Sequence, residues 1–167
     1  MDTLEKMIEQ MEQYITRNHL RKTPERKIVL EEVYNRTKPF DADTIYKELA
    51  KKRTHISRAT VFSNIDLLFR CGILVRLPQT GRSVYILWSL CRKNCIVICR
   101  ECGKVNLYRQ TKIISLLQSV RPPRSKDMQT LMMSYVVCSV CSREKKRVTQ
   151  TNESKYIREK SVVRSEE

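Results

Sequence analysis

Two Cys-x-x-Cys pairs, Cys99-Arg100-Glu101-Cys102 and Cys138-Ser139-Val140-Cys141, constrain the fold of this chain more than any other feature. Each pair sets two thiols at the ends of a short turn, where both sulfurs can face one ion. Four thiolates about 2.3 Å from a Zn²⁺ make a closed tetrahedral site, which is structural rather than catalytic. The two histidines, His19 and His55, lie far upstream, so a metal held here is held mainly by sulfur. Two pairs with 35 residues between them predict one structural zinc ion per chain, on Cys99, Cys102, Cys138 and Cys141.

Other uses of the thiols fit less well. A disulfide framework belongs to small secreted chains, whereas Met1-Asp2-Thr3-Leu4-Glu5-Lys6 opens acidic and amphipathic rather than as a leader. Seven cysteines would leave one unpaired in any full scheme. A thioredoxin-like pair wants a helix after it, but Gly103-Lys104-Val105 reads as a turn into a strand. A c-type haem site needs His after the second Cys, where Gly103 and Ser142 stand. Zinc in a reducing cytoplasm is the expectation, with no catalytic residues and no enzyme activity.

Charge points to the partner. The 33 Lys and Arg outnumber the 18 Asp and Glu, leaving +15, which suits a polyanion such as nucleic acid. Positions 67–100 carry no acidic residue, while Arg70, Arg76, Arg82, Arg92, Lys93 and Arg100 are all basic. Arg21-Lys22 and Arg26-Lys27 form a second basic cluster. No apolar run reaches the roughly 18 residues of a membrane span, so no membrane partner is expected.

Hydrophobic period predicts four helices and then a hairpin. Leu4, Met7, Ile8, Met11, Tyr14 and Ile15 recur at helical spacing, with Asn18 as a stop. Thr23-Pro24 opens a second helix, Thr23 at the cap and Pro24 where its missing N–H costs nothing. A third follows Asp41, and Ser57 caps a fourth that Cys71-Gly72 ends. Val61, Ile65 and Leu68 face inward on that fourth helix; Arg58, Thr60, Phe62, Ser63 and Asn64 fall on the other side or near its start. Polar and basic groups there suit a helix that reads the major groove. β-prone runs at 73–77 and 83–87 flank a tip containing Gly81 and Arg82, so the expected unit is a winged helix-turn-helix with Arg82 along a phosphate backbone. The expected DNA-binding residues are Arg21, Lys22, Ser57, Arg58, Thr60, Phe62, Asn64 and Arg82.

The second half changes character. Strand-like runs at 95–98 and 105–108 flank the first Cys pair, a helix covers 113–120 and ends before Pro122-Pro123, and a strand at 131–137 runs into the second pair. An α/β unit of about 50 residues is near the size that benefits from a metal staple. The fold class is therefore α+β, with a winged helix at 1–87, a hinge at 88–93, a zinc-stapled unit at 94–143 and a charged mobile or helical tail at 144–167.

Leu20-Arg21-Lys22-Thr23-Pro24-Glu25-Arg26, Ile56-Ser57-Arg58-Ala59-Thr60-Val61-Phe62, Gly81-Arg82-Ser83-Val84-Tyr85 and the two Cys pairs resemble the ferric uptake regulator family over residues 15–143. The resemblance implies a dimeric cytoplasmic transcription regulator that binds promoter DNA through its winged helix. It also implies that the C-terminal α/β domain dimerises around a Cys₄ zinc site made by Cys99, Cys102, Cys138 and Cys141.

Two departures stand out. Family members sense Fe²⁺, Mn²⁺, Zn²⁺ or peroxide through a His/Glu/Asp hinge site, whereas this chain has Arg92-Lys93-Asn94-Cys95 before its first Cys pair and Lys38-Pro39-Phe40 near the third helix. Lys and Asn do not replace imidazole and carboxylate ligands, so a second, regulatory metal is not expected. The usual Tyr-Arg of the recognition helix is Phe62-Ser63, which changes or weakens DNA contact. Cys71 is expected as a buried small residue. Cys91 and Cys95 sit beside Arg92 and Lys93, where lowered thiol pKa values would allow a redox- or haem-responsive switch as the alternative function.

Overall fold

Three of the first four helices begin at a residue whose side chain holds a free N–H group. The computed structural model describes residues 3–78, 82–119 and 129–144. Thr3 caps α1 (Leu4–Arg17), Asp41 caps α3 (Ala42–Lys51) and Ser57 caps α4 (Arg58–Arg70), each through its side-chain oxygen. α2 (Pro24–Tyr34) differs. Thr23 occupies the cap position without accepting a cap hydrogen bond, and Pro24 supplies the pre-set first residue.

Three helices end alike. The N–H groups of Leu20, Thr54 and Ile73 reach back to the carbonyls of Ile15, Leu49 and Leu68 at 2.9, 3.1 and 3.0 Å. The residues just before them, His19, Arg53 and Gly72, take φ of 53°, 56° and 79°, which is the left-handed cap that closes a helix. At Gly72 a side chain would be strained by that φ, and Gln129 Nε2, 2.9 Å from where a Cβ would sit, would have to move aside.

Met7, Met11 and Ile15 on α1, Val29, Leu30 and Val33 on α2, Ile45 and Leu49 on α3, and Val61, Ile65 and Leu68 on α4 make one buried cluster. A polar clasp crosses it: Glu32, only 8% exposed, binds Arg36 at 3.0 Å and Lys52 at the end of α3. Gln10 on α1 donates to the Cys71 carbonyl at 2.7 Å, tying α1 to the end of α4.

The hairpin follows directly. β1 (Leu74–Leu77) pairs antiparallel with β2 (Val84–Leu87) in the register Leu74↔Leu87 to Leu77↔Val84. Phe40 adds a bridge to Tyr85. This is the expected winged-helix arrangement; the wing tip at 79–81 lies outside the described residues. A short helix, α5 (Trp88–Cys91), then leads into β3 (Asn94–Cys99) and β4 (Val105–Arg109), followed by α6 (Thr111–Ser119) and β5 (Met133–Val136). The second sheet runs β4-β3-β5. Ile96 donates to Met132 and Arg100 to Val136, a constant offset that makes β3 and β5 parallel.

The chain forms two units. One comprises the described residues through Ile96 with those from Leu107 to Met132; the other comprises Val97–Asn106 with the described residues from Met133 onward. Within the expected hinge at 88–93, residues 88–91 are helical. Residues 139–144 are helical, which the sequence reading missed. The expected tail beyond 144 and the stop before Pro122-Pro123 lie outside the described residues. Among the described residues no helix is long and apolar enough to cross a membrane.

Candidate metal centre and nucleic-acid interface

Local structure brings the four thiols together. Cys99 ends β3, and its N–H and carbonyl bond Lys104 and Gly103, closing a turn in which Gly103 takes φ of +70°. That turn carries Cys102 back over Cys99. Cys138 directly precedes the helical residues 139–144, with its carbonyl accepting from Ser142 at 2.9 Å, so Cys141 lies one turn on. The Cys138 N–H also donates to Cys99 Sγ at 3.3 Å.

The four sulfurs lie within 4.8 Å of one another. Cys99 and Cys141 are 4.0 Å apart, and Cys102 and Cys138 3.9 Å. A tetrahedron with metal–sulfur bonds of about 2.3 Å has an edge of about 3.8 Å. The sulfurs are therefore spaced for one tetrahedral ion and too far apart for disulfides of about 2.05 Å. Their ionisation points the same way. Backbone N–H groups of Cys102 and Cys138 draw the Cys99 thiol down to about 6. The Cys141 thiol is pushed up to about 12, chiefly by its contact with Cys138 and then by burial and its other sulfur neighbours. Sulfurs this close resist ionising together unless a cation sits among them, and the donor set suits zinc.

The second candidate surface is the start of α4. Arg58, Phe62 and Ser63 are exposed and Thr60 half-buried. Arg58 lies over the Phe62 ring, 5.1 Å from its centre, and binds Asp43 of α3 at 2.8 Å. Ser57 contributes its cap and a hydroxyl contact to Thr60. Arg82, beside the wing tip, is 81% exposed and lies 3.6 Å from Asp41. Arg21 and Lys22 are exposed in the segment leading into α2.

Asn64 is a correction. It is only 5% exposed, because 61, 64, 65 and 68 form one helical stripe and that stripe faces the core. Asp41 and Asp43 were missed. An acidic first turn of α3 reads as ordinary capping, and only the fold sets it beside Arg58 and Arg82.

Cys91 and Cys95 are corrections too. They are 1% and 5% exposed, and burial pushes the Cys91 thiol up to about 12 rather than down. Neighbours in sequence supply positive charge, but desolvation of the thiolate dominates. Cys71 is partly rather than fully buried, donates to the Leu68 carbonyl, and is raised to about 11 by burial.

The sequence profile of the ferric uptake regulator family matches residues 17–137, most of the chain. This protein belongs to the ferric uptake regulator family. The match takes in α2 to β5 and the first Cys pair, and ends just before Cys138. The peroxide-responsive repressor PerR of Staphylococcus saprophyticus is 31% identical over 106 residues, 63% of this chain and 70% of that protein. The ferric uptake regulator Fur of Helicobacter pylori shares the fold at a TM-score of 0.62 and 20% identity, covering 84% of this chain and 94% of its own. The ferric uptake regulator of Pseudomonas aeruginosa, solved with manganese, matches at a TM-score of 0.61 and 18% identity over 77% and 98%.

Proposed function

We propose that this family member is a dimeric, zinc-stapled transcription regulator that binds promoter DNA through α4 and the β1–β2 hairpin. The exposed start of α4 carries the reading. It presents Arg58, Thr60, Phe62 and Ser63 at a helix N-terminus, with Arg82 on the hairpin beside it. Arg58 and Thr60 offer donors to base edges, Phe62 offers an apolar face to a thymine methyl, and Arg82, Arg21 and Lys22 supply phosphate contacts. Ser57 acts by holding the helix start. A relative named as a repressor supports repression as the mode.

Zinc in the Cys₄ cluster would have no open position, so its work is to hold the two Cys turns together. Dimerisation is supported by large apolar side chains left in solvent, among them Tyr108 on β4, Leu116 (70% exposed) on α6 and Tyr135 on β5. A signal other than a hinge-bound metal is supported by Lys93 and Asn94 at positions where the family resemblance calls for metal-binding side chains. The buried Cys91 and Cys95 do not favour a haem or redox switch.

Fluorescence anisotropy with promoter duplexes across a salt series tests the reading, alongside zinc analysis and sedimentation. Saturable binding that weakens steeply with salt, one zinc per chain and a dimer are expected. Failure to bind any duplex from the organism's own promoters at low salt would refute DNA regulation.

A further inference from the structure

A cleft of about 500 Å³ opens between the end of α2, α5, the start of β3 and the end of β4, with every lining residue in one of the two units. Its volume falls within the roughly 300–1,000 Å³ of small-molecule sites. Four cations line it, Arg36, Arg92, Lys93 and Arg109, together with the Ser89 hydroxyl and the Asn94 amide; no carboxylate does. Arg36 already has counter-ions, Glu32 at 3.0 Å and Glu48 at 3.5 Å. Lys93 and Arg109 have no carboxylate within ion-pair distance among the described residues.

From this lining we infer that the cleft is a binding site for a small oxyanionic ligand, a metabolite bearing phosphate or carboxylate groups. Like charges gathered on one concave wall repel one another and focus a positive field into the opening. An anion relieves that repulsion. Guanidinium forks pair with carboxylate and phosphate oxygens through two parallel hydrogen bonds, and Lys93 adds a mobile point charge. Leu87 and Leu90 give the cleft an apolar wall that a bare ion does not need and a small organic anion uses. A divalent cation is the wrong ligand for this lining, since neither imidazole nor carboxylate reaches it. The lining comes from three stretches of the chain, 34–37, 87–94 and 109, so its occupant would brace the connection between α2 and the chain leaving the hairpin.

The test is calorimetric titration of the full zinc-loaded chain with inorganic phosphate in one arm and succinate in the other, at ionic strength held constant with chloride. Saturable binding of one anion per chain in either arm supports the site, and the arm that saturates identifies the ligand as phosphate- or carboxylate-bearing. Lys93→Met, in the turn before β3, and Arg109→Gln, at the end of β4, both exposed, should each weaken that binding about tenfold, the worth of one charged hydrogen bond. Thermal melts without anion report whether each variant is folded, and either variant alone suffices. Arg76→Gln, on β1 outside the cleft, should leave the titration unchanged. No saturable heat in either arm, or equal loss in Arg76→Gln, overturns the proposal. So does a result in which the cleft variants alter only the salt dependence of DNA binding, which would make these cations part of the DNA footprint.

Discussion

Removing the metal should unfold one unit and spare the other. In the unit formed by Val97–Asn106 and the described residues from Met133, only Ile98 and Cys99 are buried, at 3% and 2% exposure. Full burial of one aliphatic side chain is worth about 1.5–3 kcal/mol, so Ile98 with the half-buried Val97 and Val105 supplies on the order of 6 kcal/mol. Structural zinc contributes about 10–16 kcal/mol of apparent binding free energy to domains of this kind. The metal term therefore outweighs the hydrophobic one, and the unit should not persist without it. The winged-helix unit has a separate buried cluster on α1 to α4 that uses none of the four cysteines. Treating the reduced protein with a strong chelator, or making Cys138→Ser, should open trypsin cleavage after Arg100, Lys104 and Arg143 while α2 to α4 stay intact. Mass spectrometry of the digest reads both outcomes at once. Chelated protein shown by elemental analysis to be zinc-free, with all thiols reduced, that still resists cleavage at those three sites would refute the reasoning.

Ile65→Ala, at 1% exposure in the α4 stripe, should cost about 2–5 kcal/mol in urea unfolding. Burial opposes ionisation of Glu32, but hydrogen bonds from Lys52 and Arg36 outweigh it and hold its carboxyl below the ordinary 4.5. Its stabilisation is therefore fully present above about pH 4.5 and is lost as pH falls through the lowered folded value; Glu32→Gln should flatten that acid limb in pH-dependent melts. Arg82→Ala should reduce the slope of log binding constant against log salt by about one per subunit. Asp43→Asn, which frees Arg58 from an exposed pair, should tighten DNA binding by up to about fivefold, as an exposed ion pair is worth at most about 1 kcal/mol.

Helix positions were legible because the apolar period, the Ser57 and Asp41 caps and Gly72 agree with one another. The Cys₄ cluster was legible because a short turn fixes the spacing within each pair, while the pairing of β3 with β5 brings the two pairs together. Asn64 was misread because residue polarity was weighed above helical phase, and phase wins when the stripe is continuous. The Cys91 thiol was misread because the charges that flank it in sequence do not offset its loss of solvent. The cationic cleft was invisible: its walls come from 34–37, 87–94 and 109, and only the fold brings these together.

The burial of Cys91 and Cys95 turns the thiols of this protein into two clocks. Alkylating reagents attack thiolates, and both of these thiols are shielded, Cys91 being raised to about 12 as well. They can react only when the winged-helix unit opens. The four clustered thiols, capped by a metal as proposed, would wait instead on its departure. A time course of mass-resolved labelling thus separates the lifetime of the bound ion from the opening rate of the other unit, within one chain and with no added probe.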